Sequence, residues 1–89
     1  MLFGRLAEKT AEILAVPKEI ALDLPRIVMT GDREFYCSGY KGLNDFSEEE
    51  VRLVSEKGII SVMGKGLVIK SIENEEIIIS GTVLAVNFM

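Results

Sequence analysis

An 89-residue chain has material for one small domain, whose folding hides only a little more than about 60% of the surface the unfolded chain exposes. Hydrophobic residues make up 48%, mean hydropathy is +0.30, and ten Lys+Arg against fourteen Asp+Glu leave a formal net charge of -4. That is more apolar than a small soluble monomer needs, which points to a partner or to self-association, and it supplies no positive field for phosphates, which excludes nucleic acid as a ligand.

The first segment, MLFGRLAEKTAEILAVP, sets Leu2, Phe3, Leu6, Ala7, Thr10, Ile13 and Leu14 at helical spacing. Arg5, Glu8, Lys9 and Glu12 fall on the other side, so the pattern predicts an amphipathic helix over residues 1–16. Pro17 stops it, because proline has no amide to donate and pushes the residue before it out of the helical region. Charges of both signs on the polar face favour a helix covering a core or a partner over one lying on lipid.

From residue 19 to the end, the pattern predicts a β domain. Ile20, Leu22 and Leu24 alternate with Ala21 and Asp23; Pro25 breaks the run and Arg26–Thr30 starts another. Gly31-Asp32 reads as a two-residue hairpin turn into Arg33–Cys37. Gly39-Tyr40-Lys41-Gly42 then has two readings, a loop that grips an anion or glycines that turn the chain back into the sheet. A phosphate loop needs G-x-x-x-x-G-K-[ST] at a strand-to-helix junction, which neither this stretch nor Gly64-Lys65-Gly66 offers, so strand-turning geometry is favoured.

Residues 46–58 are ambiguous. Ser47 and Glu50 fit a capping box with Gly58 as the residue past a helix end, whereas alternating Val51/Leu53 and the β-branched residues favour a strand over Val51–Ser55 after a polar Ser-Glu-Glu-Glu turn. Four strands in meander order are expected next: Ile59–Met63, Leu67–Ile72, Glu76–Ser80 and Thr82–Phe88. Gly64-Lys65-Gly66 and Glu73-Asn74-Glu75 read as their turns, and Ser80-Gly81 as a bulge or sharp bend. The expected architecture is mainly β: the N-terminal helix and about seven short antiparallel strands in a small sandwich or barrel-like sheet. Ile77-Ile78-Ile79 and Val83–Val86 are apolar on both faces, which a second copy of the chain would help to cover.

Chemistry is sparse. There is no histidine, which removes most triads and transition-metal sites, and the single Cys37 reads as a small hydrophobe in a strand. One cysteine and no apolar leader suit a reducing, cytoplasmic compartment. The apolar run Ile77–Val86, interrupted by Ser80, Gly81 and Thr82, is far short of the roughly 20 residues that span a bilayer, so no transmembrane segment is expected. The clusters Glu48-Glu49-Glu50 and Glu73-Asn74-Glu75-Glu76 lack calcium-loop spacing and read as solvated turn charges. No catalytic constellation, cofactor site or metal site follows from these residues.

From Pro25 to Phe88 the chain carries P-R-I, a G-D turn, an aromatic strand, Tyr40-Lys41-Gly42-Leu43, then Gly58, Gly64, Leu67, Ile69, Ile77, Ile79 and Gly81 in order. This series resembles the YabP/YqfC family of sporulation proteins, closer to its YqfC branch. The resemblance implies a non-enzymatic protein acting in the mother cell of an endospore-forming bacterium, beside a membrane-bound sporulation protein. The leading expectation is thus an assembly or partner-docking protein that self-associates, with Tyr40, Lys41 and Gly42 as the candidate contact loop. The competing one is a small ligand-binding regulatory module using the same loop.

Overall fold

The computed structural model describes residues 24–89, and both the helix expected over 1–16 and residues 20–23 of the first expected strand lie outside them. The described residues form six strands: β1 (Arg26–Thr30), β2 (Glu34–Ser38), β3 (Gly42–Phe46), β4 (Glu50–Ser55), β5 (Gly58–Glu73) and β6 (Glu76–Phe88). They make one open antiparallel sheet in the order β1-β2-β6-β5-β4-β3. Every neighbouring pair is a sequential hairpin except β2 with β6, which brings the first hairpin against the last strand.

Three expectations are corrected. The first hairpin closes through Gly31, Asp32 and Arg33, since Thr30 already pairs with Glu34; the Arg33 amide donates to the Thr30 carbonyl at 3.1 Å and Gly31 takes φ 54°, so the turn is one residue longer than read. Residues Gly42–Phe46, where no strand is expected, are an edge strand on β4. The four strands expected over 59–88 are two, of 16 and 13 residues, because Gly64-Lys65-Gly66 does not reverse the chain. Instead the β5–β6 register shifts between Met63 and Gly64 and between Lys65 and Val68, so these residues bend a continuous strand. The strand favoured over Val51–Ser55 is present as β4, and the turn before it is pinned by the Ser47 hydroxyl, which accepts from the Glu49 and Glu50 amides at 3.2 and 3.1 Å.

Backbone contact explains the bend. A Cβ on Gly64 would collide with the Thr82 carbonyl, and one on Gly81 would lie 2.6 Å from the Gly66 carbonyl. Gly81 also adopts φ 130°, a conformation that side chains of the L series rarely take. The bulge therefore exists because glycines let β5 and β6 approach where they shift register.

The length of β5 and β6 gives the sheet two halves. β2 pairs with Glu76–Ser80 at the start of β6, and β4 pairs with Gly58–Met63 at the start of β5. In the first half the inner rows are Ile27–Cys37–Ile77–Ile72 and Met29–Phe35–Ile79–Ile69. In the second they are Leu43–Leu53–Ile60–Phe88 and Phe46–Val51–Val62–Val86. The two central members of each row are fully buried, and all belong to a single core cluster. No helix is present among the described residues, and one open sheet of six strands stands where a sandwich or barrel-like sheet of about seven was expected, because β5 and β6 each run on as one long strand. Each fully buried side chain of the rows stabilises the fold by about 1.5–3 kcal/mol through the apolar surface it hides.

Candidate contact surface

The Gly39–Gly42 loop joins the two halves. The Gly39 amide, at φ 83°, donates at 2.9 Å to the carbonyl of Glu75 in the turn before β6, and the Lys41 amide donates to the Val54 carbonyl at 2.7 Å, near the end of β4. Tyr40, held between these two clamps, is 6% exposed and belongs to the core cluster. Burial raises its phenol above the ordinary value, and the nearby Cys37 thiol raises it further. Lys41 is exposed and Gly42 opens β3 with free space where a Cβ would sit. Of the three loop residues, Lys41 is the one whose side chain faces solvent, while Tyr40 seals the end of the core.

Cys37 lies on β2 and is fully buried, and burial pushes its thiol up to about 11. At neutral pH it is a protonated hydrophobe with little nucleophilic character. The polar side chains that do converge are on the outer side of the second half. Ser61 on β5 is 1% exposed, and its hydroxyl donates to Glu50 Oε2 at 2.6 Å; Arg52 Nε donates to the same oxygen at 3.0 Å. The Ser61 bond, then the Arg52 bond, holds the Glu50 carboxyl below its ordinary value. A carboxylate so held is a weak base, and it accepts the hydroxyl hydrogen bond without activating the oxygen. The trio satisfies its own polar groups across β4 and β5. Among the described residues, no group of three or more acidic or cysteine side chains is placed to hold a metal ion. No helix among them is long and apolar enough to cross a membrane.

The remaining surface chemistry is apolar and sits at the margins. Met29 on β1, Leu43 and Phe46 on β3, and Ile72 near the tip of β5 are exposed members of the inner rows. The end of β6 goes further: Leu84 is 63% exposed, Phe88 72% and Met89 61%. Sequence reasoning singled out Val83–Val86 as apolar on both faces but did not place it at an unpaired margin. A sharper signal was available, because Val83–Met89 contains no charged residue in a chain that is 27% charged.

The sequence profile of the YabP family matches residues 23–89. A Bacillus subtilis (strain 168) relative described as "Uncharacterized protein YqfC" is 42% identical over 86 residues, spanning 97% of this chain and 92% of the relative. No solved structure matches.

Proposed function

This chain belongs to the YabP family, and from that premise we propose that it is a non-catalytic sporulation protein of the mother cell, working in endospore formation as an assembly or partner-docking protein. The observation that carries the reading is the contrast between an interior that uses up its polar and thiol groups and margins that leave large apolar side chains in solvent. Leu43, Phe46, Leu84 and Phe88 are the kind of surface that association hides. Glu50 and Cys37, which a hydrolytic or thiol mechanism would call on, are respectively held ionised by its neighbours and held protonated by burial. The chain works in the cytoplasm of the mother cell, reaching the membrane through a membrane-bound sporulation protein.

Recovery of partners from sporulating cells, with and without detergent, tests the reading. The full chain retains a membrane-bound sporulation protein when detergent keeps that protein in solution, and a chain lacking residues 1–16 loses it if the N-terminal segment is the docking element. Light scattering on the purified chain gives a mass above the monomer. A strict monomer that retains no sporulation protein overturns the proposal.

A further inference from the structure

We propose that the outer margin of β6, residues Leu84–Phe88, is a self-pairing edge that takes the same strand of a second copy of the chain, antiparallel about a twofold axis. This rests on the assembly reading above and names its surface. β2 runs beside β6 only to the pair Glu34 and Ser80, after which the turn supplies two more bonds: the Arg33 carbonyl accepts from the Gly81 amide at 3.2 Å and the Asp32 carbonyl from the Val83 amide at 2.7 Å. Beyond Val83, β6 has β5 on one side, through Ala85, Val86, Asn87 and Phe88, and no strand on the other among the described residues.

Charge selects the occupant. Unpaired strands are usually kept from joining one another by a charged residue on the margin. The other margins follow that rule: β1 carries Arg26, β3 carries Asp45, and the far end of β5 carries Lys70 and Glu73. The end of β6 carries none. Two copies each of net charge -4 repel, and this neutral strand is where they meet without setting like charges face to face. An antiparallel pair of identical strands offers the same row of donors and acceptors from both sides, so the contact closes on itself as a dimer. Centred on Val86, it sets Leu84 of each copy opposite Phe88 of the other, so that this contact between exposed apolar side chains forms twice in one dimer.

Analytical ultracentrifugation of the full chain across a concentration series tests this, comparing the wild type with the double variant Leu84→Lys/Phe88→Lys and with Val68→Lys on the opposite margin. Val68 is 56% exposed, so all three positions accept lysine without entering the core, and circular dichroism checks that the sheet is intact. The expected result is a wild-type dimer, a double variant whose dissociation constant rises about tenfold or more, and a Val68→Lys protein that dimerises like the wild type. If circular dichroism shows the double variant to be unfolded, Phe88→Lys alone at the strand end replaces it. A wild-type dimer that the β6 lysines leave intact, or that Val68→Lys weakens equally, overturns this surface while leaving the assembly reading standing. A wild-type monomer overturns the surface outright.

Discussion

The two halves of the sheet share one plan and differ in how they meet water. Each joins an outer hairpin to half of the long β5–β6 hairpin, and each sends two rows of apolar side chains into the common core. The first half fills its rows with Phe35 and Cys37 and carries an ion pair on its outer side, Lys70 Nζ to Glu34 Oε2 at 3.6 Å. The second fills them with Val51 and Leu53, buries Ser61 beneath Glu50 and Arg52, and ends in the uncharged strand of β6. The shared interior sets stability, and the unlike margins are where the halves differ in what they leave exposed to water.

The largest test of that division is to remove one buried side chain from each half. Phe35→Ala should cost about 3–5 kcal/mol and Leu53→Ala about 2–5 kcal/mol, each in a single urea transition, since both line one cluster. Two transitions in either variant would show that the halves fold separately. Next comes the bend that joins them: Gly81→Val forces a side chain against the Gly66 carbonyl at a positive φ and should cost about 1–3 kcal/mol, with the loss shared by both halves in hydrogen exchange.

A smaller effect separates the outer faces. The lowered Glu50 value means that its contribution is present above the unfolded carboxylate pKa and is lost as pH falls through the folded one. Ser61→Ala removes the largest cause of that shift, so urea midpoints of wild type and variant should differ most near neutral pH and converge in acid. A gap that stays constant with pH would assign Ser61 a packing role alone. The smallest change is expected from Lys70→Ala. The exposed pair with Glu34 should contribute between about 0 and 1 kcal/mol, and added salt should reduce what remains.

How much of this was legible depended on whether the deciding contact was local. The Arg26–Cys37 hairpin was, because alternation and Gly31 lie within one short stretch; the extra turn residue was fixed by pairing of Thr30 with Glu34. The family was legible from the order of Tyr40-Lys41-Gly42-Leu43 and the later glycines. β3 was missed because Gly42-Leu43-Asn44-Asp45-Phe46 is a polar strand at an edge, with turn-forming residues where a central strand would be apolar. Gly64-Lys65-Gly66 was misread because a hairpin and a bulge ask the same thing of glycine; the difference lies in Thr82 and Gly81, distant along the chain. Tyr40 was a contact candidate by composition, and its place in the core is set by the Glu75 and Val54 carbonyls that clamp its neighbours.

Among the described residues, the one pairing between strands that do not follow each other in the chain, β2 with β6, also bears on the order of synthesis. β3, β4 and β5 can form their meander as they leave the ribosome, each finding its neighbour within a few residues. The β1–β2 hairpin, made before them, carries Phe35 and Cys37, whose cross-strand neighbours Ile79 and Ile77 emerge only with β6. The first half of the domain is thus completed last, by the C-terminal strand, and a ribosome stalled before residue 76 leaves a chain whose earliest hairpin has nothing to close on.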